Sequence, residues 1–334
     1  MRSLVVGQTH YPEFDSIGEL CYVFIMQSNE YLRQVVSMLS GEIGVRTYRD
    51  MDRLQRAAEY ISEQFGSLGY EVSRQPFLFQ GNTYHNLIAE LRGQSSPEKI
   101  LIVGAHYDTV RTTSGADDNA SGVAGLLGLA RALGGKKLSK TVRFVAFALE
   151  EPPAYRTRNM GSYHYAQSLK EKNEHVLGMV CLEMIGFFCD RDGSQHYPLP
   201  FFKLRYPSQG NFISLVGNLR SRAFTKSMAA GFRKAVDLPL VTLNAPPIVV
   251  GIDFSDHWSF NKFGYNSLMV TDTAFYRNPH YHAPTDLPDT LDYERMAKVV
   301  EGLAAALEEW GKEGETPAGK RGDKETRWWA AAGF

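Results

Sequence analysis

The chain has 334 residues, 43% of them hydrophobic, and its 36 Lys and Arg nearly balance its 37 Asp and Glu, for a formal charge of −1. That length can bury a large α/β core, and the even charge leaves no basic footprint for nucleic acid or an anionic membrane. The three cysteines (Cys21, Cys181 and Cys189) are too few and too uneven for a disulfide framework, and no apolar run approaches the ~18 residues that span a bilayer.

Residues 1–27 show no clean period. Met1 to Pro12 lacks the basic-then-apolar pattern of a signal peptide, so a cytoplasmic location is expected, with export left open. Apolar residues recur at helical spacing over 29–39 and 52–68. In the second run Leu54, Ala57, Ala58, Ile61 and Phe65 share a face and Gly69 stops the helix. Glu71–Phe79 alternates and Asn86–Leu91 is mostly apolar, both strand patterns. Lys99–Gly104 and Thr141–Leu149 are apolar on both faces, as central strands of a covered sheet are. Ser121–Leu133 and Gly161–Lys172 read as helices, Gly178–Met184 as a strand. Phe187–Gly210 has no period and reads as a long loop, with Phe187, Phe188, Tyr197, Phe201, Phe202 and Tyr206 as candidate pocket walls or plain packing. Leu219–Val236 is a helix, Ser267–Asp272 a strand, and Leu291–Trp310 the last helix. The alternation predicts an α/β fold, a three-layer arrangement with a mostly parallel (mixed) central sheet flanked by helices. It reads as one domain over 1–310, with N-terminal helices in 28–68 and a core over 70–310. A polar, flexible tail follows over 311–334, onto which Trp328 and Trp329 could tack.

In an open parallel sheet ligands gather at the carboxyl ends of strands, so the polar residues that follow each apolar run matter. Ile100–Val103 is followed by His106 and Asp108, and then by Asp117-Asp118. Thr141–Ala148 is followed by Glu150-Glu151, and Met179–Leu182 by Glu183. The run Ser267–Val270 leads into a loop that ends His280-Tyr281-His282. Each piece alone has a plain explanation: a satisfied histidine, an N-cap, a solvated glutamate pair. Glu183 is harder to explain away, because it closes an apolar run where charge is not buried. Together they supply enough nitrogen and oxygen to hold two divalent ions, the pattern of hydrolytic two-metal sites.

The elements GAHYD, GADDNASG, LEE, LEMIG, SDHWSF and NPHYHAPTD, in this order from about Lys99 to Tyr293, resemble the M28 family of zinc aminopeptidases. The resemblance implies a zinc-dependent exopeptidase fold and two zinc ions per chain. It implies that His106 and Glu151 bind one zinc, Glu183 and His282 the other, and that Asp118 bridges them. Glu150 would be the general base, Asp108 would support His106, and Tyr281 would steady the substrate carbonyl oxygen. It also implies a cis peptide at Asp118–Asn119. Alternation along an extended chain lets Glu150 and Glu151 point different ways, and H-x-D lets Asp108 accept the second ring N–H of His106. Asp117 is read as a helix cap and His280 as a non-ligand. Asp286 is expected to orient the His282 loop. Asp256 and His257 are left between a supporting role and substrate contact. The expected substrates are peptides, cut at the N-terminal bond. Rival expectations are a single-zinc acyltransferase of the glutaminyl cyclase type, a carboxypeptidase or amide hydrolase on the same scaffold, and a non-catalytic binding domain.

Overall fold

The computed structural model describes residues 28–312, so the readings of 1–27, Cys21 and the tail from 313 onward lie outside the described residues. An N-terminal helix, α1 (28–36), runs into a π-helical turn, Ser37–Ile43. It is followed by α2 (Met51–Ser67), whose N-cap Asp50 accepts the amide of Arg53. Eight strands then form one sheet: β1 (Val72–Phe79), β2 (Asn82–Leu91), β3 (Ser96–His106), β4 (Lys140–Phe147), β5 (His175–Leu182), β6 (Ile213–Gly217), β7 (Leu240–Asn244) and β8 (Ser267–Thr271). The spatial order is β1-β2-β4-β3-β5-β8-β6-β7. The four central strands β4, β3, β5 and β8 are parallel, and β2 and β6 pair against them antiparallel on either side. The expected mixed, mostly parallel sheet is present.

Helices cover both faces. Along β3, Leu101, Val103 and Ala105 join the core beneath α1, α2, α3 (Gly122–Leu133), α5 (Arg222–Ala235) and α7 (Tyr293–Gly311). The alternate residues Ile100 and Ile102 join the core beneath α4 (Gly161–Glu171) and α6 (His257–Lys262). Double burial is why these strands read as unbroken apolar runs, and each such aliphatic side chain contributes about 1.5–3 kcal/mol. Three elements were absent from the reading of the sequence: β6, β7 and α6, at five, five and six residues. The loop 187–210 is largely irregular as expected, with a 3-10 turn at Pro200–Leu204 and one bridge between Cys189 and Gly210. Cys181 and Cys189 are free thiols. No helix among the described residues is long and apolar enough to cross a membrane.

Candidate active site

The four parallel strands are adjacent, so their carboxyl ends deliver the predicted residues to one place. His106 is the last residue of β3. Glu150 and Glu151 follow β4 by three and four positions, and Glu183 directly follows β5. Asp118 arrives from the turn before α3, and His282 from the loop after β8. The Asp118–Asn119 peptide is cis, as expected. All of these are buried except His282, which is partly open.

Two ligand groups result, and they share Asp118: His106, Asp118 and Glu183 form one, Asp118, Glu151 and His282 the other. His106 Nε2 lies 3.5 Å from Asp118 Oδ1 and 3.3 Å from Glu183 Oε2. His282 Nε2 lies 3.1 Å from Asp118 Oδ2 and 3.6 Å from Glu151 Oε1. Asp118 is common to both groups, where a bridging residue would have to lie, and the grouping of the others differs from the expected pairing. His106 groups with Glu183, and Glu151 with His282; β3 lies between β4 and β5, so strand adjacency alone leaves either partner open to His106.

Donor chemistry and burial test whether a metal fits. His106 Nε2 and Glu151 Oε1 are buried without a hydrogen-bond partner, which is costly unless something else satisfies them. Both belong to the ligand groups, and the nitrogen and oxygen donors suit zinc. Without an ion, protonated imidazoles balance part of the negative charge. Burial lowers the proton affinity of His106, but Glu183, Asp108 and Asp118 outweigh it and hold the pKa well above its usual value. His282 follows the same logic: burial opposes, Asp118 and Glu151 prevail, and its pKa rises to about 10. Burial raises Asp118, yet its contacts with both imidazoles win and pull it below the usual carboxylate range.

Glu150 belongs to neither group. Its Oε2 stands 4.0 Å from His106 Nε2. Burial lifts its pKa well above the ordinary carboxylate value; His106 works against this, and nearby Glu151, Glu183 and Asp256 add to it. Asp108 supports the site differently from expectation. Its carboxylate accepts the amides of Glu150 at 3.0 Å and Glu151 at 3.1 Å, while His106 Nδ1 is 3.2 Å from the Asp108 backbone carbonyl and 3.5 Å from the carboxylate. Tyr281 stacks on the His282 ring at 3.8 Å and lines the adjoining cavity, and burial beside the site's carboxylates raises its pKa.

Asp117 is not a cap. Its carboxylate accepts the Gly186 amide and the Asn278 side chain, and the helix start is served by Asn119, whose Oδ1 accepts the Gly122 amide at 3.1 Å. Asp286 does not act on the His282 loop alone, for its two oxygens accept the amides of Asp117 and Asp118 at 2.8 and 3.2 Å. His280 is outside both ligand groups, as expected. His257 donates from Nε2 to the Ile252 carbonyl at 2.8 Å, and burial lowers its pKa to about 4. Ser255, one residue before Asp256, was missed: its hydroxyl donates to Glu183 Oε2 at 2.6 Å. The SDHWSF motif was its only signal, and spacing alone says nothing about which hydroxyl reaches a ligand.

A cavity of about 430 Å³ opens from Glu150, Glu151 and Glu183 and runs towards β6 and β7. Of the six proposed loop walls, Tyr197, Phe202 and Tyr206 line it and Phe187, Phe188 and Phe201 do not. Tyr155, from the segment after Glu151, and Met269 of β8 line it unforeseen.

The model of Peptidase family M28 matches residues 86–307. "Uncharacterized protein YfbL" of Escherichia coli (strain K12) is 41% identical over 288 residues, covering 84% of this chain and 88% of that one. "Probable leucine aminopeptidase" of Arthroderma otae is 28% identical over 77% of this chain, which spans 64% of that longer relative. The solved zinc aminopeptidase BSAP from Bacillus subtilis superposes with a TM-score of 0.69 at 18% identity, covering 85% of this chain and 95% of that one, a likeness of fold.

Proposed function

The chain belongs to peptidase family M28, and from that premise we propose that it is an aminopeptidase that holds two zinc ions and removes the N-terminal residue of peptides. The observation that carries this reading is the pair of ligand groups joined at Asp118, with a buried carboxylate, Glu150, beside them and in neither. In this reading His106, Asp118 and Glu183 hold one zinc, and Asp118, Glu151 and His282 the other. Zinc supplies Lewis acidity, which lowers the pKa of water to about 7 and polarises a carbonyl.

The chain's own groups do the rest. Glu150 takes the proton of the attacking water and passes it to the leaving amine, a role suited to a carboxylate whose pKa burial has raised well above its ordinary value. Asp108 keeps Glu150 and Glu151 apart in direction by holding both their amides. The Tyr281 hydroxyl donates to the developing oxyanion, a role supported by the stacking of its ring on His282 and by its place in the cavity lining. The cavity receives the side chain of the first residue. The carboxylates that line its inner end suit a free α-ammonium, and no lysine or arginine lines it among the described residues, which favours aminopeptidase over carboxypeptidase action.

The test is Glu150→Gln. Zinc content stays as in the wild type, and turnover of aminoacyl chromogenic substrates falls ~10²-fold or more. Activity retained by the variant overturns the role of Glu150. One zinc per chain after full reconstitution overturns the two-zinc reading in favour of the single-zinc acyltransferase.

A further inference from the structure

Arg46 lies between the π-helical turn and α2, ahead of the segment that the family model matches. It is fully buried, the largest such side chain among the described residues. A buried guanidinium is expensive unless every N–H is used, and here each nitrogen has a partner. Nε donates to the Tyr107 carbonyl at 2.9 Å. Nη1 donates to the carbonyls of Leu39, Gly44 and Ser114 at 2.7, 2.7 and 2.8 Å, and Nη2 to that of Gly115 at 3.2 Å. Its backbone pairs with Thr109: the Arg46 amide donates to the Thr109 hydroxyl at 3.0 Å, and the Thr109 amide to the Arg46 carbonyl.

Tyr107, Ser114 and Gly115 are the two ends of one loop. It leaves the ligand His106 and returns, through Gly115, to the ligand Asp118. The return is tight. Gly115 has φ 63°, and a Cβ there would lie 2.1 Å from the Asp118 carbonyl oxygen. On the far side Asp286 accepts the amides of Asp117 and Asp118. Arg46 therefore ties the loop shut by its carbonyls, and Asp286 holds the returning strand by its amides. The contacts are all to backbone, so they fix where the chain places His106 and Asp118 and leave those side chains free to bind.

We infer that Arg46 is a positioning residue of the metal site, closing the 107–115 loop so that His106 and Asp118 meet at the distance two ions need; this rests on the two-zinc reading. Only an arginine suits the position. Its planar fork reaches the Tyr107 carbonyl at one loop end through Nε and those of Ser114 and Gly115 at the other through Nη1 and Nη2, whereas a lysine presents three N–H groups from a single point. Its charge is held inside the protein by Asp108, Asp286 and Asp118, which oppose the effect of burial, and it remains cationic at neutral pH.

The experiment uses the full chain with Arg46→Lys and, because a buried arginine is a hazardous site, Thr109→Val as well. Zinc affinity is measured by competition with a chelator, the visible spectrum is recorded with cobalt(II) in place of zinc, and kcat and KM are determined separately at saturating metal. We expect Arg46→Lys to bind zinc about 10–100-fold more weakly, to alter the cobalt spectrum, and to lose kcat with KM little changed. Thr109→Val should move zinc affinity the same way by a smaller factor. A purely structural role would lower the melting temperature and leave zinc affinity and the cobalt spectrum of the folded protein at wild-type values, and that result overturns the inference. Where Arg46→Lys does not fold, unchanged zinc affinity in Thr109→Val overturns it. A wild-type chain that takes up no zinc overturns the two-zinc reading itself, whereas tight wild-type binding matched by both variants overturns this inference alone.

Discussion

Asp118 is the residue on which the site turns. One oxygen faces His106 and the other His282, so its loss removes a donor from both ligand groups at once. His282 serves only one. Asp118→Ala is therefore expected to abolish binding of both zinc ions, while His282→Ala should keep one ion, held by His106, Asp118 and Glu183. Metal analysis after gel filtration decides this: one ion retained by Asp118→Ala would refute the shared position. Most residues of the two groups were legible in the sequence because His106, Glu151 and Glu183 follow apolar runs, where such a group is costly without a cation. Their partners were not. Ser255 and Asp286 act through single hydrogen bonds across 72 and 168 or 169 positions of chain, and no period or spacing encodes such a contact. The grouping differs from expectation for a related reason: β3 lies beside both β4 and β5, so strand order leaves open whether His106 meets Glu151 or Glu183.

At the scale of elements, the central strands could be read because burial on both faces makes them continuous apolar runs. β6 and β7 could not. Each has five residues, too few to establish a period, and β7 is half-buried throughout at the edge of the sheet. α6, a six-residue helix, has less than two turns in which to show a face. The turn that feeds α3 illustrates how an element fixes a ligand. Asn119 Oδ1 accepts the amides of Gly122 and Met184, and Asn119 Nδ2 donates to the Leu182 carbonyl. This joins the start of α3 to the end of β5, next to Glu183. Gly122 must lack a side chain, because a Cβ would lie 2.2 Å from Asn119 Oδ1 and 2.7 Å from the Leu182 carbonyl oxygen. Gly122→Ala is expected to push Asn119 away and to destabilise the metal-free protein by about 1–3 kcal/mol, the usual cost of overpacking. Urea unfolding measures it, and a midpoint equal to the wild type would mean that the helix start can shift without cost.

For the whole molecule, the issue is charge. Asp108, Asp117, Asp118, Glu150, Glu151, Glu183, Asp256, Asp272 and Asp286 are all buried at one end of the sheet, against Arg46 and Arg277 as buried cations there. Without metal, several of these groups keep protons that the unfolded chain gives up. Burial raises Glu151, Asp256 and Asp286 to about 7 and Asp272 to about 6, and the two imidazoles at the ligand groups are also raised. A raised carboxylate stabilises the fold fully below its unfolded value, near 4, and loses that contribution as pH climbs through its folded value near 7. The raised histidines lose theirs from about 6.5 upward, in the same direction. His257 opposes them: its folded value near 4 costs stability as pH falls from 6.5 towards 4. Burial lowers His85 and His164 in the same direction as His257, but these three are outnumbered by the four carboxylates and two imidazoles raised at the strand ends, which set the sign. Metal-free protein is expected to melt at a lower temperature at pH 8 than at pH 6. A loss of 1 kcal/mol corresponds to about 2–4 °C in a large domain, so the shift is measurable. Zinc needs deprotonated ligands and binds only the folded chain, so the rise in melting temperature on adding zinc should grow over the same range. Calorimetry of chelator-treated and zinc-loaded protein at the two pH values is the check. A metal-free protein that melts higher at pH 8, or a zinc effect that shrinks as pH rises, would show that the carboxylates at the strand ends do not carry the burden of charge that their burial implies.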